Sequence, residues 1–559
     1  MARKIFGKLT KWISEKSDWK LILFLFVVCF TIFLRVFHFH DWLFFKMDQA
    51  RDALLIKQAL ENGPGWLPLL GPKAGGTHLN LGPAFYYFQY ISAFMFQSAH
   101  PAVLAYPDLL FAILSIPLFY FFLKKYFSRD WSMILAGLYA VCFLGIQYSR
   151  FAWNPNSLVF FNLLYFVALL NIFDEERIYK LRWIVIAGLS FAISTQLHFL
   201  SFVTLPVITF VFLIFVRKEI RKNLDWKKIL VFIGIIALVY MPVVFNEITT
   251  RGNNTAEFFA AVKEKPSGHT LWQNINRNFR YWGQYWFLIL TGWIAKKSSL
   301  KPAIIAWLAV MIPGIVLAIK YYRDEKRAAK KKFLLVSVLW FLTYFLIYVP
   351  VSYQIRPRFF LPLLALPFIF IGLIANYFWK KNKIILKGFV IAALAIIFFG
   401  NLAGTNSWFK EIFSAQKKGV YPKRTIILKA RDGIILWHLE KAAEYIESDC
   451  PAKRVYYFAS AEYRQPIKYI LGLAGVEALQ ASNYDPRLEG CIYDFSLSRT
   501  DKAGNIKKVQ EKFDLLDKKK IGALTVRRFS LKQEFVESFS FTKEREEKSE
   551  RVFWKDIIR

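Results

Sequence analysis

Apolar residues dominate the first 403 positions in long runs, and polar residues gather in the breaks between them. Roughly eleven of these runs approach the ~20 residues needed to cross a bilayer. In lipid such runs must be helical, because only a helix satisfies their backbone groups locally. The first run, Leu21 to Phe39, follows a segment holding Arg3, Lys4, Lys8, Lys11, Lys16 and Lys20, which predicts a cytoplasmic N-terminus, residues 1–20. It ends in Arg35, His38, His40 and Asp41 with no small-residue cleavage site, so it reads as an uncleaved anchor.

The breaks set the expected topology. Lys124 to Arg129, Asp174 to Arg182, Arg217 to Lys228, Arg323 to Lys332 and Lys380 to Lys387 are basic or mixed, and predict the cytoplasmic side. Ser149 to Ser157, Thr195 to Ser201, Asn246 to Tyr281 and Ser352 to Arg358 hold few cations and predict the opposite side. Phe85 to Phe96 and Tyr281 to Ala295 break the alternation. If both lie in the interface, about eleven crossings remain; if both cross, the count rises to about thirteen. After residue 403 the runs shorten, as in Val455 to Ser460 and Tyr469 to Leu473, and Gly433 to Ile446 has a helical amphipathic pattern. The expected architecture is an all-α polytopic membrane domain, residues 21–403, followed by a soluble α/β domain, residues 404–559, outside the cytoplasm. The last stretch, Thr542 to Arg559, is highly charged and reads as a helix or a tail.

Composition agrees. Hydrophobic residues make up 56% of the chain, with Phe 57, Tyr 27 and Trp 18, more than a soluble core could cover. The net charge of +35 would suggest nucleic acid in a soluble protein, but these cations lie in loops between apolar runs and no nucleic-acid motif accompanies them. Cys29 and Cys142 fall inside spans; Cys450 and Cys491 could pair in an oxidising compartment or remain free thiols.

The most polar break is the loop after the first span, residues 40–82. Within it Met47 to Glu61 reads as a helix stopped by Asn62-Gly63-Pro64, and Asp48, Arg51 and Asp52 share one face at i, i+3 and i+4. On residues alone, Asp48 could be an N-cap and Arg51 with Asp52 a solvated pair.

"MDQARDALLIKQALENGPGWLPLL" followed by "THLNLGPAFYYF" resembles the start of glycosyltransferase family 39, which includes protein O-mannosyltransferases and bacterial aminoarabinose transferases of lipid A. Asp48 matches the leading acid of the family's first external helix, and Pro83 to Phe88 its aromatic segment. "YSRFAWNPNSLVFFNLL" and "RPRFFLPLLALPFIF" resemble its next external loop and its late Arg-Tyr-x-Leu-Pro span. The resemblance covers roughly residues 20 to 375 and implies a GT-C enzyme of the plasma membrane. Such an enzyme moves a sugar from a polyprenyl-phosphate carrier to a lipid, glycan or protein acceptor outside the cytoplasm, with inversion. It implies Asp48 as general base and Arg356 and Arg358 as phosphate ligands. Three departures stand out: Gln49 replaces an acid, Gly82 stands where the aminoarabinose branch often has lysine, and Asn154 precedes Pro155 where that branch tends to have an acid.

Other candidates for substrate contact are Arg51, Asp52, His78, Tyr86, Tyr87, Arg150, Trp153 and Asn154, while His198 reads better as a buried histidine bonded to backbone. No Asp-x-Asp occurs in the first loop, so no catalytic metal or other cofactor is expected. The competing classes are a transporter or lipid-carrier flippase, and a catalytically silent GT-C relative. Against the transporter, the apolar pattern shows no internal repeat and the acids cluster in a loop.

Overall fold

The structure, a computed structural model, describes residues 19–75, 77–176, 179–264, 268–419, 422–427, 432–484, 489–498, 511–535 and 551–557. The N-terminal cations before residue 19 and the 542–550 part of the charged terminus lie outside them. The helical body comprises α1 (Trp19–Val36), α2 (Met47–Asn62), α3 (Ala84–Phe96), α4 (Pro101–Leu123), α5 (Arg129–Ala140), α6 (Phe143–Tyr148), α7 (Leu158–Ile172), α8 (Lys180–Leu197) and α9 (Phe199–Phe215). It continues with α10 (Arg217–Asn223), α11 (Trp226–Thr249), α12 (Asn253–Glu264), α13 (Leu271–Thr291), α14 (Leu300–Asp324), α15 (Ala328–Tyr348), a 3-10 segment Pro357–Leu363, α16 (Leu366–Lys380) and α17 (Ile384–Lys418). Among the described residues, 6 helices are long and apolar enough to cross a membrane, or 8 if each of two bent pairs is one span. The sequence count of about eleven also includes shorter or more polar helices, such as α5 and α7, that fall below a ~20-residue span.

The basic breaks meet at one end of this body. Lys125 pairs with Asp174 at 2.8 Å, Lys222 with Glu175 at 2.9 Å, and Lys332 with Glu219. Four of the five basic sites are thereby linked in series, and Trp379 beside Trp131 adds the fifth. A shared face is what the charge pattern predicts.

Helix α13 hydrogen-bonds two other helices of the body. Near its start Asn278 donates to the Phe345 carbonyl, and near its finish Asn401 donates to the Ile289 carbonyl. At 1.5 Å per residue, Phe345 and Asn401 each lie about 25 Å along helices that start at the basic end. Asn278 and Ile289 of α13 therefore each meet a neighbouring helix about 25 Å from that helix's first residue.

The opposite end carries a second unit: α18 (Leu436–Asp449), β1 (Arg454–Ala459), α19 (Ala461–Leu473), β2 (Glu477–Gln480), β3 (Cys491–Leu497), β4 (Phe513–Ile521) and β5 (Leu524–Leu531). The sheet order is β2-β1-β3-β5-β4, with β1 parallel to β2 and β3, and β5 antiparallel to β3 and β4. Tyr469 to Leu473, a short apolar run in sequence, is the end of α19 rather than a strand. Cys450 and Cys491 form a disulfide across this unit.

The two units are joined through the first loop. The Leu436 and Trp437 amides donate to the Leu43 and Asp41 carbonyls. Tyr469 donates to the Ala99 carbonyl at 2.5 Å. Buried Lys46 reaches Asp432 at 2.5 Å and lies 3.6 Å above the Tyr463 ring. His100 Nδ1 accepts the Ala102 amide while its Nε2 meets Glu440 at 2.8 Å, and His40 stacks on it. These contacts fix the start of α2, and thus the orientation of its charged face.

Candidate active site

The N-cap of α2 is Lys46, not Asp48. The Lys46 amide donates to Gln49 Oε1 at 3.2 Å, which satisfies one of the orphan groups of the helix start. Asp48 therefore stands in the first turn with its side chain 49% exposed rather than bonded to the backbone as a cap. The helix ends at Gly63, whose φ of 94° suits glycine, followed by Pro64.

Arg51 joins the two acids. Its guanidinium donates to Asp52 Oδ1 at 2.9 and 2.8 Å and to Asp48 Oδ1 at 3.3 Å. Asp52 is buried and also accepts the Tyr86 hydroxyl at 2.9 Å. Burial pushes the Asp52 carboxyl above its ordinary range, against the pull of Arg51 and Tyr86. Burial alone would lower Arg51, but the Asp52 carboxylate, with Tyr86 and Asp48, holds it firmly protonated. The pair is thus a rigid support, and Asp48 is the accessible acid above it.

A second cation beside the first loop comes from far along the chain. Arg358, in the 3-10 segment, lies 4.7 Å from the Trp153 ring centroid and is close enough to feel the Asp48 charge. A Cβ built on Gly75 would meet its Nη2 at 3.1 Å, so the first loop passes directly over it. Trp153 is oriented by buried Asp108, which accepts the Trp153 amide at 2.9 Å and the Ser157 hydroxyl at 2.5 Å. Arg356 is exposed at the start of the same segment. Asp48, Arg51, Asp52, Tyr86, Trp153 and Arg358 are thereby gathered around the first loop: one accessible carboxylate and two guanidinia.

Other sequence candidates have different surroundings. Arg150 stands apart, fully buried, donating to the carbonyls of Leu34, Arg35, Phe37 and His38. It caps the C-terminal end of α1 instead of opening to a phosphate. Tyr86 is wholly buried and offers no stacking face. Tyr87 donates to the Pro68 carbonyl at 3.3 Å and accepts from Trp554 at 2.8 Å, so its hydroxyl is engaged within the protein. Asn154 donates to the Leu197 carbonyl at 2.7 Å. His198 accepts the Leu200 amide through Nδ1 at 3.2 Å, a helix N-cap. His78 is exposed on the loop. A small cavity lies elsewhere, lined by Trp42, Phe44, Arg150, Trp408 and Ile435. Asp48 opens on solvent instead.

The family departures have local causes. Gln49 is buried and donates to the Ala152 carbonyl at 3.3 Å, which a carboxylate could not do. A Cβ on Gly82 would lie 2.3 Å from Gln196 Cγ, so a lysine has no room. Asp108, Lys46 and Asp432 were not singled out from sequence. Only Asp108 carried a signal, as an acid inside an apolar run.

Residues 80–245 match the family described as dolichyl-phosphate-mannose-protein mannosyltransferase. No curated protein matches the chain by sequence. Among solved structures, ArnT from Cupriavidus metallidurans bound to undecaprenyl phosphate is similar at TM-score 0.56 and 9% identity, covering 92% of this chain and 98% of that one. The Archaeoglobus fulgidus oligosaccharyltransferase is similar at TM-score 0.51 and 14% identity, covering 85% and 67%. The chain therefore carries the GT-C fold of multi-pass membrane glycosyltransferases, and across residues 80–245 it is similar in sequence to the mannosyltransferase family of that fold.

Proposed function

We propose that the protein transfers a sugar from a polyprenyl-phosphate carrier to a hydroxyl-bearing acceptor on the non-cytoplasmic face of the plasma membrane, in one inverting displacement. Asp48 takes the proton of the acceptor hydroxyl as its oxygen forms a bond to the anomeric carbon. The bond from that carbon to the phosphate oxygen breaks on the opposite face, and the carrier leaves as an anion. It departs already charged, so the step uses guanidinium in place of an acid or a metal: Arg358 holds the phosphate, with Arg356 beside it. Arg51 and Asp52 fix Asp48, and His78 faces the acceptor. The N-terminus is cytoplasmic and the sheet unit lies outside.

The observation that carries this is a half-exposed carboxylate on a braced helix within electrostatic range of the Arg358 guanidinium, over which the first loop passes. A transporter would not require an exposed base at that point. The test is to incubate purified protein with a panel of polyprenyl-phosphate sugars and acceptors and to follow release of the carrier phosphate. Wild type should turn over at least one donor, and Asp48→Asn should bind that donor without turning it over. No turnover with any donor, or full turnover by Asp48→Asn, would overturn the assignment.

A further inference from the structure

The far end of the chain returns to the candidate site. Residues 551–557 lie along the first loop, where Leu69 donates its amide to the Val552 carbonyl at 3.1 Å and Trp554 donates to the Leu67 carbonyl at 3.2 Å. Pro68 and Phe553 form an antiparallel bridge. The Trp554 indole N–H donates to the Tyr87 hydroxyl at 2.8 Å, and its ring packs edge-on against Phe245 of α11. Lys555 Nζ sits 3.0 Å above the Trp66 ring centroid. Two main-chain bonds and two aromatic anchors therefore hold this segment on three elements of the helical body.

The segment carries a cation to the charged face of α2. The Arg551 guanidinium lies 5.9 Å from the Tyr86 ring centroid, beside the side chain whose hydroxyl meets Asp52. Tyr86 in turn donates to Asp52, Asp52 accepts from Arg51, and Arg51 reaches Asp48. The series runs from the C-terminal segment to the accessible acid, hydrogen-bonded from Tyr86 onward. A buried carboxylate gripped from one side only would be free to rotate with its partner. Arg551 closes the series on the other side, by fixing the Tyr86 hydroxyl toward Asp52.

We infer that residues 551–557 complete the catalytic site, and that Arg551 is a positioning residue which sets the Arg51–Asp48 geometry through Tyr86 and Asp52. This rests on Asp48 being the base. The segment buries little of the core, so its loss falls on the site and not on global folding. Misplacing a catalytic group through a lost supporting contact can cost up to about 100-fold in rate.

The experiment compares wild type, Arg551→Ala, Arg551→Lys, Asp48→Asn and a chain ending at residue 550, all full length otherwise and in lipid nanodiscs. Turnover, undecaprenyl phosphate binding, thermal unfolding and amide exchange at residues 66–70 are measured for each. The expected result is a kcat about 10- to 100-fold lower in Arg551→Ala with unchanged carrier binding and unfolding temperature, and partial recovery in Arg551→Lys. In the shortened chain, the Leu69 amide should lose protection, and a synthetic peptide of residues 551–559 added in excess should restore part of the turnover. Wild-type turnover in Arg551→Ala, or higher turnover in the shortened chain, overturns the inference. A parallel loss of unfolding temperature in Arg551→Ala also overturns it, since that would mark a structural contact. An active Asp48→Asn overturns the proposed mechanism itself, and the two failures are thereby distinguished.

Discussion

Replacing Asp48 by asparagine separates chemistry from architecture at this site. The side chains of Asp48 and Arg51 are 49% and 37% exposed, and they meet at 3.3 Å. An ion pair this open contributes about 0–1 kcal/mol to stability. Arg51 keeps its two bonds to buried Asp52 when Asp48 is neutralised. The unfolding temperature should therefore move by no more than about 2 °C. Loss of a positioned base is larger: about 100- to 10,000-fold in kcat, or about 3–5 kcal/mol on the barrier. Carrier binding should hold or tighten slightly, because an anion near the phosphate has been removed. The assay is single-turnover release of carrier phosphate from a bound polyprenyl-phosphate sugar, with carrier affinity measured in parallel. A rate within about threefold of wild type would refute the assignment of the base. Equal losses in rate and in carrier affinity would refute it in a different way, by making Asp48 a binding group. Asp52→Asn is the contrasting variant. It weakens the hold on half-exposed Arg51, which keeps Asp48, and should cost about 1–3 kcal/mol of stability.

Arg358→Ala should weaken binding of undecaprenyl phosphate by about 10- to 100-fold, the loss of a charge-assisted hydrogen bond, measured by titration into nanodisc-embedded protein. Arg358→Lys should recover only part of it, because lysine loses the planar stack on Trp153 and the two-pronged grip. Arg150→Ala should lower the unfolding temperature and the yield of folded protein, since each buried carbonyl left without a donor costs about 1–3 kcal/mol; protein that does fold should keep wild-type carrier affinity. Gly82→Lys should misplace the first loop and abolish turnover, with increased amide exchange over residues 71–84, because its side chain has to displace Gln196.

What could be read from the sequence was what depends on local order along the chain. Apolar runs separated by basic breaks, the shared face of Asp48, Arg51 and Asp52, and the stop at Gly63 all follow from spacing. The pairing of charged breaks at one end follows as well, since each lies at the same phase of the alternation. What could not be read was the identity of partners distant in sequence. Arg150 looks like a ligand residue at the mouth of a span, but it closes carbonyls of α1 more than a hundred residues earlier. Tyr87 looks like a sugar platform, but its hydroxyl belongs to Trp554 near the other end of the chain. The family departures carry the same lesson in a more useful form. Gln49, Gly82 and Asn154 look like missing catalytic or binding groups when each is read alone. In the fold, each is matched to a neighbour: Gln49 to the Ala152 carbonyl, Gly82 to Gln196, and Asn154 to the Leu197 carbonyl. Gln196 also accepts the Ala84 amide at 3.1 Å and donates to the Val239 carbonyl at 2.8 Å, so the space beside Gly82 is held by a side chain with duties of its own. A lysine at 82 therefore requires a smaller residue at 196, which would in turn orphan Ala84 and loosen the helix that carries Tyr86. That coupling explains how this chain can lack the lysine and yet retain the acid face intact; under the proposed function the phosphate contact falls to Arg358.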